Sequence, residues 1–97
     1  MNVNAVMLNK IDKVVTVVEE VKKGDLVNYT KDGVPCIVEA IEDIPAFHKI
    51  SVTDLKEEEH VIKYGQIIGG MLMDVPKGSW ISHKNIKSLP RNYEDEM

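Results

Sequence analysis

His48-Lys49, Lys63-Tyr64-Gly65 and Asn85 are the parts of this chain whose residue types could do chemistry on a small polar ligand. An imidazole serves as acid or base near neutral pH, or as a neutral ligand to a divalent metal. His48 is therefore the candidate catalytic group, with metal ligation as its other role. Lys49 offers an ammonium to a carboxylate or sulfonate. Lys63 and Tyr64 offer an ammonium and a phenol at a pocket rim, where Gly65 lets backbone approach a ligand. Asn85 offers a neutral donor and acceptor to a hydroxyl, or else caps the turn into Ile86. Each group also has an ordinary role: a solvated ring for His48, surface amines for the lysines, a phenol packed over its own turn for Tyr64.

Other polar residues carry less. His60 lies beside Glu57-Glu58-Glu59, a stretch that reads as a solvated turn. His48, His60 and His83 lack the spacing of metal ligands on one element. Cys36 is the single cysteine, which excludes an internal disulfide, and in Cys36-Ile37-Val38 it reads as a small buried hydrophobe. No nucleophile with its base, phosphate-cradling loop or nucleotide fingerprint is present.

What must position these groups is a repeated turn. Residues 20–27, 43–50, 54–61 and 74–81 each run acid, aliphatic, Lys or Pro, a variable residue, often Gly, and end on Val or Ile. The acid is placed to bond nearby backbone N–H groups, and the aliphatic residues Val21, Ile44, Leu55 and Val75 to anchor each segment in the core. Gly24 and Gly78 supply a turn that tolerates positive φ before an apolar residue enters a strand. The irregular intervals argue against a solenoid.

Between the turns, short strands are predicted over residues 5–8, 14–18, 26–29, 35–40, 48–52, 60–63 and 80–82. Lys31-Asp32-Gly33 signals a hairpin. Residues 17–23 offer a short helix, with Val17, Val18 and Val21 on one face. Residues 66–73, interrupted by Gly69-Gly70, read as a buried turn or bulged strand, with Met71 and Met73 in the core. Residues 1–89 form the expected domain and residues 90–97 an acidic, solvated tail.

Composition agrees with a mainly β domain. The chain has 97 residues, room for one core rather than two. Its 43% hydrophobic content excludes disorder as the default. Val and Ile dominate that content, and β-branched side chains suit a pleated surface better than a helix. A net charge of −4 without a basic stripe argues against nucleic acid or an anionic membrane as partner. No apolar run reaches the length of a membrane span. The N-terminus lacks a signal-peptide pattern, so a cytoplasmic location is the expectation.

The repeated acid-Ile-Pro-x-Gly-x-x-Ile turn resembles the SAF domain, a small β-clip fold of short strands and long turns. A narrower match runs through Asp43-Ile44-Pro45-Ala46-Phe47-His48-Lys49-Ile50, Val61-Ile62-Lys63-Tyr64-Gly65-Gln66-Ile67-Ile68-Gly69 and Asn85-Ile86-Lys87-Ser88. It resembles the N-terminal domain of the altronate/galactarate dehydratase family, which also occurs as a separate small subunit, as in sulfolactate sulfo-lyases. Departures from the family pattern are clear. Phe47 stands where the family has Gly, and Glu58 replaces the usual Gly of the third turn. Ser82-His83-Lys84-Asn85 stands where the family reads His-x-His-Asn. Aligned on Asn85, both family histidines are replaced, by Ser82 and Lys84, and His83 falls at the variable position.

The resemblance implies a small subunit, or detached N-terminal domain, of a lyase. Such an enzyme eliminates water from a sugar acid such as altronate or galactarate, or sulfite from sulfolactate. The resemblance implies iron or another divalent metal in the assembled enzyme, where it would stabilise enolate charge, and no cofactor in the isolated chain. It implies a large dehydratase subunit as partner, since so short a chain cannot enclose a polar sugar acid, and it leaves room for a homo-oligomer. Within it His48 is catalytic, and Lys49, Lys63, Tyr64 and Asn85 bind substrate. The rival reading is a non-catalytic SAF module for a ligand or partner that has lost the family's histidines, which Phe47, Ser82 and Lys84 favour.

Overall fold

The computed structural model describes residues 3–7, 9, 11–63 and 65–87; residues 90–97, the expected acidic tail, lie outside them. The strands are β1 (Ala5–Val6), β2 (Val14–Val17), β3 (Leu26–Lys31), β4 (Val34–Glu39), β5 (Lys49–Ser51), β6 (His60–Lys63), β7 (Gln66–Met71), β8 (Trp80–Ile81) and β9 (Ile86–Lys87). The expectation of a mainly β fold holds. Three antiparallel sheets form, ordered β1-β2-β5-β8, β3-β4 and β6-β7-β9.

The first sheet divides the core. Ala5 pairs with Val17, Val15 with Ile50, and Ile50 with Trp80. Successive side chains alternate across a strand, so these residues share one face. They pack with Val21, Val27, Tyr29, Val38, Ala40 and Ile44. Val14 and Ile81 take the opposite face and pack with Leu55, Val61, Met71 and Val75. The sheet thus has apolar cores on both sides, which explains why its strands read as Val/Ile runs rather than as strict alternation.

The four turns pair two by two. Val21 and Ile44 form one antiparallel bridge and Leu55 and Val75 another, and all four anchors are buried as expected. Three of the four acids serve the partner turn; Glu20 instead lies 3.4 Å from the Lys22 ammonium of its own turn. Asp43 accepts the Lys23 N–H at 2.9 Å, Asp54 the Lys77 N–H at 2.8 Å, and Asp74 the Glu57 N–H at 2.7 Å. The fifth residue of every turn has positive φ: Gly24 at 91°, Phe47 at 67°, Glu58 at 70° and Gly78 at 92°. The geometry that favours glycine is therefore kept where the sequence has lost it. At the β3–β4 hairpin, Asp32 and Gly33 also take positive φ, as the Asp-Gly signal requires.

Three expectations need correction. Residues 17–23 form no helix, because Val17 ends β2 and Val21 is held in its bridge to Ile44. Met71 is buried, but Met73 is 47% exposed, since it follows β7 into a turn. Cys36 is half-buried rather than buried, because it lies at the margin of the first core on the outer strand β4. The bulged-strand reading of residues 66–73 holds over residues 66–71. Val61 pairs with Gly69 and Ile62 with Ile67, so Ile68 is the extra residue of a β-bulge.

Candidate functional site

Two clusters gather where β5 begins and β8 ends, because Lys49 pairs with Ile81 across that antiparallel pair. Lys49 shares the face of Ile81. Around it a cleft of about 360 Å³ is lined by Lys49, Lys63, Ile68, His83 and Ile86. Ile68 and Ile86 belong to the margin of the second core, and His83 stands exposed in the turn after β8. The bulge aims Ile68 out of the regular ladder, a common device next to binding sites.

Lys63 ends β6, and beyond it the hairpin tip at Gly65 is tied down. Asp12, 5% exposed, accepts the Gly65 N–H at 2.8 Å through one oxygen and the Asn9 N–H at 3.3 Å through the other. The Lys13 N–H donates to the Ile62 carbonyl at 2.8 Å. Gly65 has φ 75°, and a β-carbon there would lie 2.6 Å from the Asn9 side-chain nitrogen. The positive φ favours glycine at that tip, and a larger residue would also have to push aside the end of the Asn9 side chain. Lys13 also bonds the Glu59 carboxylate; together with the Lys56 N–H it holds that carboxyl below the usual glutamate range.

The second cluster surrounds Trp80, on the other face. The Trp80 indole N–H donates to His48 Nδ1 at 3.2 Å, and the two rings meet edge to face with centroids 5.4 Å apart. Asn85 uses both ends of its amide locally: Oδ1 accepts the Ser82 N–H at 2.8 Å and Nδ2 donates to the Trp80 carbonyl at 2.7 Å. It braces the turn after β8, and with Trp80, Ser82 and Lys84 it lines a groove of about 390 Å³.

The expected site residues therefore fall into two groups. Lys49 and Lys63 share the cleft, whereas His48 bonds the Trp80 indole and Asn85 the Trp80 backbone carbonyl; Tyr64 lies outside the described residues. His83, Ile68, Asp12 and Trp80 were not anticipated as parts of the site. Alternation from buried Ile81 would have put His83 on the side of Lys49. The role of Asp12, which acts on a hairpin tip far along the chain, left no local signal. Among the described residues no three His, Cys, Asp or Glu side chains lie close enough to hold a metal ion. The donors among the described residues thus do not make up a site for the divalent metal that the resemblance implies. Among the same residues no helix is long and apolar enough to cross a membrane.

Comparison with known proteins decides the family. Residues 3–89 match the family described as the altronate/galactarate dehydratase SAF domain. This chain belongs to that SAF family. Similar proteins include the galactarate dehydratase (L-threo-forming) of Escherichia coli, 37% identical over 49 residues, which are 50% of this chain and 9% of that protein. The altronate dehydratase of Bacillus subtilis is 30% identical over 83 residues, 86% of this chain and 16% of that protein. The (2R)-sulfolactate sulfo-lyase subunit alpha of Chromohalobacter salexigens is 34% identical over 76 residues, 76% of this chain and 81% of that subunit. The SAF chain thus spans a small fraction of the two dehydratases and most of the lyase subunit.

Proposed function

We propose that this chain is the small SAF subunit, or a detached SAF domain, of a cytoplasmic lyase acting on a small hydroxylated acid. The substrate is a sugar acid that loses water or a sulfonate that loses sulfite, and a large partner subunit completes the site. The observation that carries this reading is the cleft in which β5 and β6 bring together Lys49 and Lys63 beside His83. Two ammonium groups over an apolar floor of Ile68 and Ile86 suit the carboxylate or sulfonate of such a substrate. His48 would meet the reacting end from the Trp80 side, and Asn85 would hold the turn between the two clusters. The divalent metal would be held by the partner, where it would stabilise the enolate charge that develops as the α-proton leaves.

Co-purification with the large subunit, followed by elimination assays on altronate, galactarate and sulfolactate, tests the reading. In the complex, Lys49→Gln and Lys63→Gln should raise KM at least tenfold, and His48→Ala should lower kcat at least tenfold, about 1.4 kcal/mol. The 97-residue chain alone should show no elimination, since one wall cannot hold both acid and base. Turnover by that chain at about one per second would overturn this. The rival, a non-catalytic SAF module, is favoured by Ser82 and Lys84 at the family's histidine positions. It predicts an active complex that His48→Ala leaves unchanged.

A further inference from the structure

We infer that Trp80 holds His48 as the neutral Nε2–H tautomer, which makes His48 a hydrogen-bond donor to substrate oxygen rather than a proton shuttle or metal ligand. An indole nitrogen is a donor only. The 3.2 Å contact from Trp80 Nε1 therefore requires a bare lone pair on His48 Nδ1, and a neutral imidazole with Nδ1 bare carries its proton on Nε2. Both partners are fixed from behind. The Trp80 N–H donates to the Glu42 carboxylate at 3.0 Å, its carbonyl accepts from Asn85, and its ring packs against the first core. The His48 N–H donates to the Pro45 carbonyl at 3.2 Å, and its carbonyl accepts the Val17 N–H at 2.9 Å.

The consequences are chemical. A metal ion can take Nε2 only if the proton there moves, and the other nitrogen is already filled by the indole. Acting as a base would need a lone pair on Nε2, and acting as a strong acid would need a second proton on Nδ1, which displaces Trp80. What remains is a neutral donor, able to polarise a carbonyl or steady an enolate oxygen without transferring its proton. Trp80 is then a positioning residue. The tautomer is a property of this chain alone, while the role toward substrate rests on the lyase reading above.

Nitrogen-15 NMR of the chain reads the tautomer directly from couplings between ring nitrogens and carbon-bound ring protons. The spectra are recorded at pH about 8.5, well above the ordinary imidazole value. Exposed His60 and His83 serve as internal references. His48 should show a bare Nδ1 and a protonated Nε2, and Trp80→Phe should move it toward the averaged pattern of the references. A wild-type His48 that matches the references, or one that Trp80→Phe leaves unmoved, overturns the inference. If Trp80→Phe fails to fold, His48→Ala decides, because its Trp80 indole proton should exchange faster with solvent; unchanged exchange also overturns it. A confirmed tautomer in a complex that His48→Ala leaves fully active would sink the lyase role of His48 and leave the positioning intact.

Discussion

Replacing Phe47 with glycine should stabilise the fold, and replacing Gly78 with alanine should come close to unfolding it. Both residues occupy the fifth position of their turns, with φ of 67° and 92°. A β-carbon in this region costs about 1–2 kcal/mol. Against that, glycine leaves a looser unfolded chain, worth roughly 0.5–1 kcal/mol. Phe47 is 76% exposed, so little burial is lost with its ring. The balance is a stabilisation of about 0.5–1 kcal/mol for Phe47→Gly, and the same for exposed Glu58→Gly. Gly24 and Gly78 separate strain from crowding. A β-carbon on Gly24 meets nothing within 4 Å, so Gly24→Ala should cost only about 1 kcal/mol. On Gly78 it would lie 2.2 Å from the Glu39 carbonyl oxygen. That segment cannot back away, because the Gly78 N–H is bonded to Ser51 and its carbonyl to Ile41. Overpacking adds about 1–3 kcal/mol, for a total of about 2–4. Urea unfolding followed by Trp80 fluorescence would resolve the set, since about 1 kcal/mol moves the midpoint by roughly 0.3–1 M. Equal costs for Gly24→Ala and Gly78→Ala, or a destabilised Phe47→Gly, would refute the reasoning.

Two further outcomes follow from the turns. Leu55→Ala should lose about 2–5 kcal/mol in urea unfolding, because Leu55 is fully buried at the Leu55–Val75 bridge, whereas a loss below about 1 would mean the bridge does not anchor the second core. Glu59→Gln should be less stable than wild type at neutral pH, with a gap that closes on acidification. The folded-state carboxyl sits below its ordinary value of 4.5, so its stabilisation is present above that value and is lost as pH falls through the folded one. Paired urea titrations at pH about 7 and about 3 would measure this; a gap that widens in acid would rule out the ion pair with Lys13 as its source.

Much of the fold was legible because it is written locally. The acid-aliphatic spacing marks all four buried anchors, Asp32-Gly33 marks the hairpin, and Gly69-Gly70 marks the bulged strand. Less legible was whatever depends on a partner distant in sequence. A one-residue bridge such as Val21–Ile44 has no periodicity, and two-residue β9 is too short to carry a pattern. That Asp54 and Asp74 exchange bonds with each other's turns could not be told from bonds to near neighbours. For the site, the residue types were visible but their sides were not. His48 and Lys49 are adjacent, and whether they act together depends on where β5 starts. With Lys49 as its first residue, alternation sends Lys49 to one core and His48 to Trp80 on the other.

The pairing of turns also bears on how the chain is made. The Val21–Ile44 and Leu55–Val75 bridges follow one another along the chain without interleaving. Each closes a loop of about 20 residues, and closure entropy grows only slowly with loop length. On the ribosome the amino-terminal loop can close, with β3 and β4 zipped inside it, before residue 55 has emerged. The pairings of β2 with β5 and of β5 with β8 must wait for later residues, as must the bonds of Asp12 to Gly65, Lys13 to Ile62 and Ile41 to Gly78. Synthesis from one end therefore meets the contacts in the order in which they can form, and the slow non-local strand pairing falls to the short central strand β5.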